Sequence, residues 1–170
     1  MEHERALAVE LTLGPGLFHW RAAILRGFYA RIADEAAIDT VYIGEVVCSK
    51  RSPFFDPHIP DIVERLQRAG KKVVLSSLAE VVLPREREMT AALCRLGDCE
   101  IEINDAAGVY FRAGGPHRIG QYFNVYNERT LEVLARAGAT HVTLPCELPH
   151  HSVEIMAARA RELGVGIEVQ

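Results

Sequence analysis

Short apolar runs alternate with helix-period segments from one end of the chain to the other, and this alternation limits the fold more than any other feature. The runs at 8–13, 40–43, 72–76, 99–103, 118–125, 141–144 and 165–169 have the length of buried strands. Between them, apolar residues recur three and four apart. Trp20, Ile24, Phe28 and Ile32 form one such face, Ile59, Ile62, Val63 and Leu66 a second, and Val153, Met156, Ala157 and Ala160 a third. Strands separated by helices predict βα units on a parallel sheet. Seven strands predict an α/β fold of the (β/α) TIM-barrel-like kind, one strand short of closure. Length agrees that it is incomplete: such barrels take about 250 residues, and this chain has 170. The runner-up is an open parallel sheet, but no glycine-rich phosphate loop follows any strand. Gly14-Pro15-Gly16 is a weak match whose proline removes an amide that a phosphate would need. Without a linker or low-complexity stretch, residues 1–170 read as a single domain.

Punctuation supports the alternation. Gly70, Gly97 and Gly138 sit where helices should stop, Pro84 where one should start, and Asn127 where a side chain can cap a first turn. Pro53 and Pro57, so close together, predict a loop between them. Net charge is −4 with both signs interspersed, which argues against a nucleic-acid partner. No apolar run reaches the roughly 20 residues of a membrane span, and the acidic start Met1-Glu2-His3-Glu4-Arg5 lacks a signal-peptide pattern. A cytoplasmic location is expected, and the four cysteines do not suggest a disulfide framework.

The loops after parallel strands share one rim, where chemistry concentrates. The second strand leads into Gly44-Glu45-Val46-Val47-Cys48-Ser49-Lys50-Arg51. A carboxylate, a thiol and two cations thus leave the sheet together. Asn124, Tyr126 and Asn127 follow the fifth strand; Cys146 and Glu147 follow the sixth. Glu45 and Glu147 are candidate catalytic carboxylates for acid/base work, or else each caps its loop or pairs with Lys50 or Arg51. Lys50, Arg51, Asn124, Tyr126 and Asn127 are candidate ligand-binding residues, with helix capping the alternative for Asn127. His150 and His151 beside Glu147 form only a weak metal pattern. Cys99 opens the fourth strand and lies at the opposite end, with Cys94 just before it. Only Cys48 and Cys146 are placed to face one cleft, too few for an iron–sulfur cluster.

Five blocks carry a resemblance. They are Leu13-Gly14-Pro15; the run from Tyr42 through Gly44-Glu45 and Cys48-Ser49-Lys50-Arg51; Val74 to Ala79; Asn124 to Leu131; and Pro145-Cys146-Glu147-Leu148. In order and spacing they are similar to UbiV-like proteins of the collagenase-like peptidase family, and the resemblance covers nearly the whole chain. It implies a barrel-like domain and a role in oxygen-independent hydroxylation during anaerobic ubiquinone biosynthesis. The implied partners are a UbiU-like protein, or a second copy of the chain, and a UbiT-like lipid-binding protein. It also implies a 4Fe-4S cluster with Cys48 as a metal ligand. The other three cluster cysteines of the family pattern lie beyond this chain, and Cys94, Cys99 and Cys146 do not match them. Either the chain is shortened, or another chain supplies the ligands, or the cluster has been lost. A cluster-free binding or assembly module is therefore the alternative function, and a peptidase-like hydrolase, suggested by the family's name alone, is the third.

Overall fold

The computed structural model describes residues 9–170. Its seven strands are all parallel and lie side by side in chain order: β1 (Thr12–Leu13), β2 (Thr40–Ile43), β3 (Lys72–Ser76), β4 (Glu100–Ile103), β5 (His117–Ile119), β6 (Ala139–Thr143) and β7 (Gly166–Glu168). The connections carry α1 (Ala22–Glu35), α2 (Ser52–Phe55), α3 (Ile59–Arg68), α4 (Pro84–Cys94), α5 (Ala106–Arg112), α6 (Glu128–Arg136) and α7 (His150–Leu163). The sheet curls into an incomplete barrel, as expected. Tyr42 on β2 reaches across the interior to Glu168 on β7, with 2.6 Å from its hydroxyl to the carboxylate.

Strand alternation sorts the side chains. Val41 and Ile43 turn outward onto α1 and α3 with Leu25, Tyr29 and Leu66. Ile101, Ile103, Ile119 and Val142 turn outward into a second apolar cluster with Leu131 and Met156. The inward positions hold Tyr42, Glu102, Arg118, Thr143 and Glu168, which contact one another or line one cavity. Barrel interiors of this kind are usually filled by branched apolar residues; this one is polar.

Three local expectations change. β1 is shorter than the 8–13 run, of which Ala8 lies outside the described residues. β5 ends at Ile119 rather than at residue 125. Gly120 breaks it, and a 3-10 turn follows at Gln121–Phe123 with Asn124 left-handed at φ 57°. The Pro53–Pro57 stretch forms the single turn α2 and a 3-10 turn at Asp56–His58 instead of a loop. Both prolines stand in a first turn, where no amide donor is needed. Most of the remaining punctuation works as read, although α4 already stops at Cys94, ahead of Gly97. Asn127 Oδ1 accepts from the Thr130 amide at 2.9 Å, and Gly70 turns left-handed just past α3 at φ 79°. No helix among the described residues is long and apolar enough to cross a membrane.

Candidate functional site

Two features meet at the C-terminal end of the strands: the Gly44–Arg51 loop and the mouth of the polar interior. The loop begins where β2 touches β3. A Cβ on Gly44 would stand 2.3 Å from the Ser76 carbonyl oxygen, so the turn requires glycine. Glu45 then closes the turn on itself, its Oε1 accepting the amides of Val47 at 2.8 Å and Cys48 at 2.9 Å. Buried Val46 anchors the turn by accepting the Ala79 amide at 2.8 Å. The Ser49 hydroxyl donates to Glu86 at 2.6 Å and accepts from Arg85 at 2.8 Å. Glu86 also accepts the Leu83 and Val82 amides. The Leu83 amide first, then Ser49 and Val82, hold its carboxyl down to about 2. Arg51 donates to the Leu17 carbonyl at 3.0 Å, while Lys50 is exposed. Cys48 is half-buried within this scaffold.

The other candidates group separately. Tyr126 donates a short hydrogen bond to Glu147, and Cys146 Sγ lies 3.6 Å from the same carboxylate. That bond raises the Tyr126 hydroxyl above its ordinary range and lowers Glu147 below its own. Asn127 is occupied as the α6 cap, and Asn124 donates to the Tyr122 carbonyl at 3.1 Å. Glu45 is thus held by its own loop, while Glu147 is tied to Tyr126 on the neighbouring connection between β5 and α6. His150 pairs with Glu154 on its own helix at 3.7 Å.

The interior supplies what the rim residues do not. Arg118, 3% exposed, pairs with Glu100 at 2.8 Å and Glu168 at 3.0 Å and donates to the Tyr42 hydroxyl at 3.0 Å. Thr143 donates to Glu168 at 2.9 Å. Burial, then the charge of Glu168, pushes the Tyr42 phenol far above its usual value. A cavity of about 440 Å³ opens above this network, lined by Thr12, Tyr42, Glu102, Asn104, Thr143 and Glu168 among others. The arrangement suits a small polar ligand held by hydrogen bonds. Sequence reasoning passed over Glu100, Glu102, Arg118 and Glu168 because each sits inside a strand rather than after one. The available signal was a charge at every second position of Glu100-Ile101-Glu102-Ile103, which aims carboxylates at one face.

Glu102 yields a pH prediction. Burial raises its carboxyl, with Asn104 donating to it at 3.0 Å. For a raised acid, the stability contribution is full below the unfolded pKa and is lost as pH rises through the folded one. Glu102→Gln keeps an acceptor for Asn104 but cannot ionise. As pH rises above the ordinary glutamate range, the wild type is therefore expected to lose stability relative to this variant, as followed by urea denaturation at each pH. Parallel curves would refute it.

The positions of the thiols decide whether they can share an iron–sulfur cluster. Cys94 is buried with Sγ 3.5 Å from the Gly108 carbonyl, Cys99 borders a cavity with His117 and His141 below the strands, and Cys146 is exposed on the loop after β6. Among the described residues no three His, Cys, Asp or Glu side chains form a group able to hold a metal ion. The cysteines of this chain do not together fit a four-thiolate cluster; Cys48 is available as a single ligand.

A parallel, curled sheet of seven strands with helices on its outside defines an incomplete α/β barrel. Residues 28–170 match Peptidase family U32, and the chain belongs to that family. No solved structure matches it.

Proposed function

We propose that this domain is a UbiV-like component of an oxygen-independent ubiquinone-biosynthesis hydroxylase, acting with a UbiU-like partner or a second copy of the chain. What supports the reading is the Gly44–Arg51 loop. It carries the block most specific to UbiV-like proteins, and three independent anchors hold it: Glu45 on the amides, Ser49 on Glu86, and Arg51 on Leu17. A thiol presented so rigidly suits ligation, since the loop pays little ordering entropy on binding. Cys48 contributes one metal ligand, and the remaining ligands come from outside the described residues. A UbiT-like lipid-binding protein is the expected accessory. Glu45, Lys50 and Arg51 shape the surroundings of Cys48.

The test is anaerobic purification of the chain, alone and with a UbiU-like partner, followed by iron and sulfide assays. Iron with either preparation, lost in Cys48→Ala, is the expected result. Iron content unchanged in that variant would remove Cys48 as a ligand. Colourless protein in both preparations would favour the second reading, a cluster-free ligand-binding or assembly module. Its support is the 440 Å³ polar cavity within the barrel. Hydrolysis of peptides has no comparable support beyond the family's name.

A further inference from the structure

The polar interior distributes its hydrogens unevenly. Tyr42 and Thr143 donate their hydroxyls to Glu168, and Arg118 divides its guanidinium among Glu168, Glu100 and the Tyr42 oxygen. Glu168 therefore has donors on both carboxylate oxygens. Asn104 Nδ2 donates to the Ser77 carbonyl at 3.2 Å and to Glu102 Oε2 at 3.0 Å. Arg118 donates nothing to Glu102, whose Oε1 accepts no hydrogen bond among the described residues.

Glu102 is 6% exposed and borders the cavity of about 440 Å³. Ser76 Oγ and Asn104 Oδ1 beside it are unpartnered and sealed in; Glu102 Oε1 is not one of the sealed atoms. The Ser76 hydroxyl stands near the carboxyl without hydrogen-bond geometry. The chain just past β5 offers only Gly120, where a Cβ would stand 2.7 Å from Oε1. Among the described residues lining the cavity there is no Lys, Arg or His. Three carboxylates, Glu100, Glu102 and Glu168, thus share the one guanidinium of Arg118. An anionic guest would meet unmatched negative charge. An uncharged guest would leave Glu102 without a counter-ion, so that its carboxyl must stay protonated. A cation both donates to Oε1 and balances the third carboxylate. Leu17, Tyr42 and Tyr122 in the lining suit the hydrocarbon part of an organic cation.

We propose that the barrel interior binds a small organic amine, with its ammonium group paired to Glu102. The inference deepens the ligand-binding reading of the interior and rests on it; Cys48 takes no part. In the empty site burial raises the Glu102 carboxyl, with the Glu168 charge acting the same way and Ser76, Asn104 and Arg118 acting against it. Tyr42 on β2 lines the same cavity. The ammonium takes the place of the carboxyl proton, so one proton leaves for each amine bound.

The test uses three probes of one shape on the full chain: benzylamine, benzyl alcohol and benzoate. Binding is followed by titration calorimetry and by amide NMR shifts. Benzylamine is expected to bind saturably with shifts at Asn104, Gly120 and Thr143, at least about tenfold more tightly than either other probe. Its affinity is expected to rise with pH above the ordinary glutamate range, by up to about tenfold per pH unit, with a heat that changes with the buffer as the released proton is taken up. Glu102→Gln keeps an acceptor but cannot ionise. It is expected to weaken benzylamine by about ten- to hundredfold, the range of a hydrogen bond to a charged group, and to leave benzyl alcohol within about threefold. If that variant does not fold, the pH dependence and proton release of the wild type carry the test. Benzylamine affinity untouched by Glu102→Gln, or binding without proton release, would overturn the proposal. Benzyl alcohol or benzoate bound in the interior as tightly as the amine would overturn it while keeping the ligand-binding reading. Interior shifts with none of the probes would also overturn it, and that reading would then rest on the iron assay alone.

Discussion

Arg118→Met is expected to destabilise the fold by about 3 kcal/mol, the scale of breaking a buried ion pair from one side. The guanidinium is 3% exposed and spans three strands, holding Glu100 on β4, Glu168 on β7 and the Tyr42 hydroxyl on β2. Methionine fills part of the volume but leaves Glu168, whose side chain is 14% exposed, without its cation. Tyr42 and Thr143 still donate to that carboxylate, which keeps the loss from being larger. Glu100 is 53% exposed and returns to water at little cost. The double variant Arg118→Met/Glu168→Gln removes the stranded charge and is expected to recover more than half of the loss. Urea denaturation of both variants decides the matter. A single-variant loss under about 1 kcal/mol, the range of solvated pairs, would mean that water already fills the interior.

Gly44→Ala is expected to cost a similar amount, about 3 kcal/mol, at the upper end of ordinary overpacking. The new methyl group meets backbone, since the nearest atoms are the Ser76 oxygen at 2.3 Å and its carbonyl carbon and amide nitrogen at 3.1 Å. No side chain can swing aside there. The backbone at φ 158° is itself one that other residues rarely adopt. Because β2 and β3 must separate, the Glu45 turn moves with them, and faster amide exchange at Val47 and Cys48 is expected alongside the lower denaturation midpoint. Full stability with unchanged exchange would show that β3 yields without penalty, and would remove the reason for a glycine in this loop.

The rhythm of strand and helix was legible because it is local. Apolar spacing, helix stops at glycine and the Asn127 cap follow from a residue's neighbours within about four positions. The proline-rich turn was misread for a related reason: the local rule marks proline as a breaker, but in a first turn proline suits a helix. The Gly44–Arg51 loop was legible as a candidate site because it follows a strand. Why it needs its glycine was not, since the obstacle is the backbone of β3, some thirty residues away.

Length and alternation, read from the amino-acid order alone, determined a parallel α/β barrel-like domain short of closure, with a carboxylate, a thiol and two cations leaving β2 together. Tertiary structure decided which of those groups are free. Glu45 spends one oxygen on its own loop, and Arg51 donates to the Leu17 carbonyl. It also decided that the interior is polar. Glu102, Arg118 and Glu168 are scattered along the chain, and each reads locally as a charged residue at home in solvent. Only the curl of the sheet turns their strand faces toward one another. Burial then makes the Arg118–Glu168 pairing obligatory, because a charge removed from water must find a partner within the fold, whereas Glu102 answers burial by holding its proton more tightly.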